Sequence, residues 1–260
     1  MLPKYIPCHT LTPAQLSDLE TLLKDCRAAD PITLSFPADY PEAEKLPYHP
    51  YHLLYLGDRL VSALSLLPAD EETCEAMALT APDCRRLGYF SLLLDHACDE
   101  LLCYGEMPDL AFVSDANSPD ALAALKALEC EYWYSELMMS LPFPAKVYQP
   151  VSLSVPHLFR QQTEGETTCF ELWMKDSEQP AGTCSILNFG SWYYLYGLEV
   201  CPQLRRRGFG KALLGHILSS LDQEGHTKLK LQVNSQNTAA LALYHHMGFV
   251  ETERIDYYLY

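Results

Sequence analysis

Basic residues are scarce in this 260-residue chain: 18 lysines and arginines stand against 34 aspartates and glutamates, a formal net charge of −16. Such a chain lacks the basic footprint of a nucleic-acid binder and is repelled by an anionic bilayer, so neither partner is expected. No apolar run approaches membrane-spanning length. The opening Met1-Leu-Pro-Lys-Tyr-Ile-Pro-Cys lacks the apolar stretch of a signal peptide. The ten cysteines form no CxxC and no Cys/His ligand cluster, so neither a metal site nor a disulfide framework is expected. They read as reduced core thiols of a cytoplasmic protein. The three glycines and downstream acid of a dinucleotide site are also missing. What remains is a chain that is 48% hydrophobic, enough for one large domain or two small ones.

The charge is uneven. Residues 1–146 carry 9 basic against 23 acidic side chains, and residues 147–260 carry 9 against 11. The near-neutral part holds the most informative run, Leu198-Glu-Val-Cys-Pro-Gln-Leu-Arg-Arg-Arg-Gly-Phe-Gly210. An apolar strand ends at a proline, arginines lead into two glycines spaced one apart, and a helix follows through Leu213, Leu214, Ile217, Leu218 and Leu221. Gly208 can take a positive-φ turn, and Gly210 lets backbone approach a ligand closely. The first amides of such a helix face outward, where its dipole favours an anion such as a diphosphate. Leu229, Leu231 and Val233 then alternate with polar residues as in a half-buried strand. Asn237 can cap a helix over Thr238–Met247 that stops at Gly248.

Two spaced motifs, Val200-x-Pro202-x-x-Arg205-x-x-Gly208-x-Gly210 and Asn237-x-x-Ala240-x-x-x-Tyr244-x-x-x-Gly248-Phe249, together resemble the signatures of the GNAT acyltransferases. The resemblance implies an α/β fold in which each lobe is a mixed, mostly antiparallel sheet flanked by helices. It also implies acetyl-CoA as co-substrate and transfer of its acetyl group to an amine. The cofactor contacts it implies are Leu198, Val200, Arg205, Arg206, Arg207, Gly208, Phe209, Gly210, Lys211, Asn234 and Asn237, with the Val200 N–H as oxyanion donor. A tyrosine at the place of Tyr244 protonates the leaving thiolate in that family; periodicity alone would read it as a packed core aromatic. Glu199 faces opposite to Leu198 and Val200, either as the base or as an exposed strand residue. Asn237 reads equally as helix cap and as ligand.

The first half repeats the second. Thr12-Pro13-Ala14-Gln15 opens a capped helix, Tyr51–Leu56 and Leu60–Leu67 read as a strand pair, and Cys74–Leu79 as a third strand. Pro82, Arg85 and Gly88 then reproduce the spacing of Pro202, Arg205 and Gly208. The strand at Leu110–Val113 and the helix from Asn117 to Leu128 echo the later strand and helix. Where chemistry would sit, the copies differ. Phe90 stands for Gly210, where its ring is expected to fill space a diphosphate needs. No tyrosine matches Tyr244, and Glu129-Cys130 replaces Gly248-Phe249. Two tandem lobes are therefore expected, 1–145 worn and structural, 146–260 catalytic, joined at the proline-rich stretch from Leu141 to Pro150.

The second lobe lacks the two helices that in this family follow the first strand, so the first lobe could complete the acceptor site. The aromatic strand Trp192, Tyr193, Tyr194 and Tyr196 is expected to bury one face and line an acceptor pocket with the other. The acceptor is a small-molecule or peptide amine, cationic before it reacts. Its identity is open between a polyamine, an aminoglycoside, an amino acid and a protein amine. A CoA-binding module without turnover, a longer acyl-CoA and a hydroxyl acceptor stay open as alternatives, as does the oligomeric state.

Overall fold

The structure is a computed structural model that describes residues 2–30, 32–70, 72–104, 108–115, 118–144, 153–175, 177–221 and 225–260. The chain packs as two units, Met1–Ser135 with Ile255–Tyr260, and Glu136–Arg254. The expected join at 145/146 and the helix start at Asn117 lie outside the described residues.

The first unit runs β1 (Lys4–Cys8), α1 (Pro13–Ala29), β2 (Tyr51–Leu56), β3 (Arg59–Pro68), β4 (Thr73–Thr80), α2 (Tyr89–Tyr104), β5 (Asp109–Asp115), α3 (Pro119–Ala127) and the start of β6 (Glu131–Pro142). The reciprocal cap expected for α1 is formed: Gln15 N donates to Thr12 Oγ1 at 3.3 Å and Thr12 N to Gln15 Oε1 at 2.8 Å. β1 to β4 pair antiparallel in chain order, and β4 lies parallel to β5. Leu22, Leu53, Leu64, Leu93 and Leu110 centre its core, each 2% exposed or less.

The second unit follows with β7 (His157–Glu164), β8 (Thr167–Met174), β9 (Gly182–Asn188), β10 (Tyr193–Val200), α4 (Phe209–Ser220), β11 (Lys228–Asn234), α5 (Thr238–His246) and β12 (Val250–Leu259). Its strands order as β6-β11-β10-β9-β8-β7, with only β10–β11 parallel. α4 and α5 are its helices among the described residues. They bury Leu213, Leu214, Ile217, Tyr244 and Met247 with Met139, Tyr193, Leu195, Leu229 and Leu231. The family's two helices after the first strand have no counterpart between β7 and β8, which join in a tight turn. Among the described residues no helix is long and apolar enough to cross a membrane.

The last residues of β12 serve the first unit, whereas a split at 145/146 would assign them to the second. Tyr257 pairs with Val113 and Leu259 with Ala111, which completes the hydrogen bonding of β5. Tyr134 stacks on Tyr257 at 4.5 Å, and Ser135 Oγ donates to the buried Asp256 carboxylate at 2.6 Å. An unpaired β5 would expose a row of amides and carbonyls. Deleting residues 255–260 should therefore speed amide exchange over Leu110–Asp115 while Leu229–Val233 stay protected. Hydrogen-exchange mass spectrometry checks it, and equal protection of both segments would refute the pairing as a stabilising element.

Candidate active site

β10 carries a break in register between Tyr196 and Glu199 opposite β9, with Gly197 at φ +63 inside it. The extra residue reverses which side chains face the core. Tyr193 and Leu195 point into it before the bulge, and Leu198 and Val200 pack on the same core after it. Tyr194, Tyr196 and Glu199 consequently face the other way, and Glu199 is exposed as expected. Gly182 on β9 makes the bulge possible: a Cβ there would lie 2.9 Å from the main-chain oxygen of Glu199. Nothing in the sequence singled out that glycine. β10 pairs with β11 only over Tyr193–Leu195, so Leu198 and Val200 have no partner on β11.

After Val200 the chain turns sharply. Cys201 N donates to Ala181 O at 2.9 Å, Leu204 N to Cys201 O at 2.8 Å, and Arg205 Nε to Val200 O at 3.0 Å. Arg206 and Gly208 both take left-handed conformations, φ +60 and +88. The first helical bond of α4 is Ala212 N to Gly208 O at 2.9 Å. The amides of Phe209, Gly210 and Lys211 precede that ladder, at the positive end of the helix dipole. Arg206 and Arg207 are exposed, and among the described residues no carboxylate pairs with Arg205, Arg206, Arg207 or Lys211.

Two residues of the glycine loop pack against the rest of the unit. Phe209 is 2% exposed, so its ring belongs to the core and only its N–H can meet a ligand. A Cβ at Gly210 would meet Leu243 Cδ2 at 3.2 Å and Val200 Cγ2 at 3.6 Å. The missing side chain there lets α4 close on α5 and β10.

Asn237 caps α5, its Oδ1 accepting from Ala240 N at 3.1 Å. That role takes its side-chain oxygen. Tyr244, on α5, is 6% exposed and leans on Phe249 with ring centroids 5.7 Å apart. Its hydroxyl makes no hydrogen bond among the described residues. Burial pushes its pKa well above the ordinary tyrosine range, and the nearby Cys184 thiol adds to the rise. Cys184 is itself pushed up to about 12 by burial. The phenol therefore keeps its proton and has an O–H to donate.

Asn234 is drawn into a local network: Nδ2 donates to Glu136 Oε1 at 3.2 Å and Oδ1 accepts from Gln236 N at 2.8 Å. Glu136 also accepts from Gln232 Nε2 at 3.3 Å and, with burial leading, raises the pKa of Tyr194. It escaped the sequence reading, although its alternation with the buried Leu137, Met139 and Leu141 marks it as facing the opposite side. On that side Phe189 stacks on Trp192 at 4.3 Å, Trp192 meets Tyr194 edge-on at 6.4 Å, and Lys230 Nζ sits 5.6 Å over Trp192. Tyr193 instead is buried in the core. A cavity of about 360 Å³ in this unit is lined by Thr163, Glu166, Asn188, Tyr193 and Ser220 among others and touches none of the expected catalytic or cofactor residues. Among the described residues no group of three or more His, Cys, Asp or Glu could hold a metal ion.

The first unit forms the same loop. Arg85 Nε donates to Thr80 O at 3.2 Å, Arg86 and Gly88 stand at φ +59 and +82, and Leu92 N bonds to Gly88 O at 2.9 Å. The ring of Phe90 packs edge-on to Phe112, with centroids 6.0 Å apart.

The profile of the acetyltransferase (GNAT) family matches residues 122–249. The [ribosomal protein bS18]-alanine N-acetyltransferase of Escherichia coli (strain K12) is 43% identical over 65 residues, 25% of this chain and 44% of that protein. The chain thus spans less than half the length of that curated relative. In structure the chain resembles a GCN5-related N-acetyltransferase from Sphaerobacter thermophilus, with a TM-score of 0.73 at 15% identity, covering 98% and 95% of the two chains. It also resembles a tandem GNAT protein from the clavulanic acid biosynthesis pathway, with a TM-score of 0.65 at 15% identity over 100% and 98%. At that identity the likeness is one of fold.

The two glycines should fail differently. Gly208→Ala forces a side chain into the left-handed region at a cost of about 1–2 kcal/mol. Gly210→Ala asks Leu243 to give only slightly and gains helix propensity, whereas Gly210→Leu overpacks the α4–α5 contact by about 1–3 kcal/mol. Thermal melts should rank the variants with Gly210→Ala nearest the parent; a Gly210→Leu protein as stable as the parent would contradict the packing role.

Proposed function

We propose, from the premise that the chain belongs through residues 122–249 to the acetyltransferase (GNAT) family, that its second unit binds acetyl-CoA and acetylates an amine of a small molecule or peptide. One observation carries the reading. A buried tyrosine with no hydrogen-bond partner among the described residues lies in the same unit as a left-handed glycine turn that opens a helix beside unpaired arginines. The residues fit the diphosphate: three amides precede the α4 ladder, and Arg206, Arg207 and Lys211 stand beside them without carboxylate partners.

Acetyl-CoA supplies the acyl group activated as a thioester. The free edge of β10 at Leu198 and Val200 offers main-chain groups to align it, and the Val200 N–H is the proposed donor to the developing oxyanion. Glu199 accepts the amine proton, directly or through a water. Tyr244 keeps its proton until the thiolate departs and then donates it. Transfer is direct, in a ternary complex. The face carrying Trp192, Tyr194 and Tyr196 with Glu136 and Glu199 suits a cationic amine, by attraction to carboxylates and ring faces. Ten free cysteines suit a reducing compartment such as the cytoplasm. An acceptor screen with acetyl-CoA, read by mass spectrometry, tests the activity; no acetylated amine from any class would defeat the proposal.

Tyr244→Phe should lower kcat by about 10²–10⁴-fold and leave acetyl-CoA affinity nearly unchanged. Because the raised phenol pKa keeps the group protonated, the deficit should stay constant from about pH 6 to 10. A parent enzyme that loses kcat below pH 10 down to the level of the variant would contradict this. Titration calorimetry should also count one acetyl-CoA per chain. A second site of similar affinity would assign the first unit a cofactor role as well.

A further inference from the structure

A cavity of about 370 Å³ lies in the first unit, walled by α1, β4, α2, β5, α3 and the chain that follows α1. Close-packed interiors leave few gaps larger than a water molecule, and this one is on the order of ten times a water's share of liquid volume. Most of its wall is apolar, with Leu23, Phe36, Met77, Phe90, Phe112 and Leu125 among its residues. Ile32, Met77 and Phe90 line it and pack on the core of the unit, yet each stays half-buried, so apolar surface remains accessible there. Cys26 and Cys84 also line it, and burial raises the pKa of both thiols, as surroundings of low polarity do. Four of its five charged residues form one network: Arg85 donates to Asp30 Oδ2 at 2.6 Å and to Asp120 Oδ2 at 3.0 Å, and Arg86 to Asp120 Oδ1 at 2.8 Å. The fifth, Asp115, accepts from Thr33 N and Oγ1 at 2.9 and 3.0 Å. Arg86 and Gly88 are exposed, so the cavity reaches solvent beside the loop.

We propose that this cavity is a binding site for an apolar small molecule of medium size, alkyl or arylalkyl, separate from the cofactor and acceptor positions of the second unit. The volume falls in the range of small-molecule sites, and an apolar wall with a few polar groups is their usual make-up. Water in such a space finds few partners, since most of the wall neither donates nor accepts. An apolar body that displaces it covers the accessible faces of Ile32, Met77 and Phe90 and gains with each methylene it buries. That gain is non-directional and scales with apolar area, so it asks for no particular charge on the ligand. The site belongs to the first unit alone, and its occupancy is independent of what the second unit acetylates.

The test uses the full chain and the fluorescence of N-phenyl-1-naphthylamine, an uncharged probe of apolar cavities. Saturable binding at one site is expected. Straight-chain alcohols should displace the probe, each added methylene from butanol to octanol tightening the competition about fourfold. 1,8-Octanediol, which carries a second hydroxyl into the apolar wall, should compete at least about tenfold less well than octanol. Acetyl-CoA should not displace the probe. Filling the cavity at either of two wall residues, by Ala124→Phe on α3 or independently by Ala78→Phe on β4, should abolish probe binding while circular dichroism stays at the parent spectrum. A chain that acetylated no amine would leave all of these outcomes unchanged. The proposal is overturned if the parent shows no saturable binding, or if a folded cavity-filled variant of either kind binds the probe like the parent. It is equally overturned if the alcohol series is flat, if the diol matches octanol, or if acetyl-CoA competes with the probe.

Discussion

One hydrogen bond organises the candidate site: Arg205 Nε to the main-chain oxygen of Val200, at 3.0 Å. It ties the end of β10 to the loop that follows. With the strand end fixed, the loop must reverse within a few residues, which is why Arg206 and Gly208 are both left-handed. Those two conformations set where α4 begins. They therefore decide that the amides of Phe209, Gly210 and Lys211 stand ahead of the helix ladder.

The same bond recurs as Arg85 Nε to Thr80 O, with the same pair of left-handed residues after it. Loop geometry is thus shared by the two units, and what separates them is the company the arginine keeps. In the second unit its neighbours Arg206 and Arg207 are exposed and have no carboxylate partner among the described residues, which leaves a positive field beside the amides. In the first unit Asp30 and Asp120 bind the guanidiniums, and Phe90 lines an apolar cavity. One backbone device thus carries exposed arginines in one unit and carboxylate-bound arginines in the other.

β10 shows a second division of labour. Its bulge reverses the facing of the strand, so that Leu198 and Val200 keep the core while Glu199 stays with Tyr194 and Tyr196 on the open side. Gly182 across the strand admits the displaced backbone, and Gly210 admits α5. Tyr244 reaches its buried position on the core side, whereas Glu199 stays exposed on the other.

The sequence by itself determined the local elements and their repetition. Thr12 and Gln15 close a cap, Gly208 requires a left-handed turn, Asn237 caps α5, and leucine periodicities lay α4 and β11 on one core. Each depends on neighbours a few residues away, so spacing alone specifies it. Tertiary structure alone decided the rest. The packing of Gly210 on Leu243 and Val200 went unread because those contacts are remote in sequence or on another element. The packing of Phe90 on Phe112 depends on a contact between two elements that spacing does not carry. Glu136 and Gly182 went unnoticed since each matters only through a strand partner, Asn234 and Val200. The pairing of Arg85 with Asp30 and Asp120 joins side chains from α2's loop, α1's end and α3, and only packing brings three such distant charges together. Likewise Ile255–Tyr260 belong to the first unit because β5 needs a hydrogen-bonding partner, a demand of sheet pairing that chain order does not express.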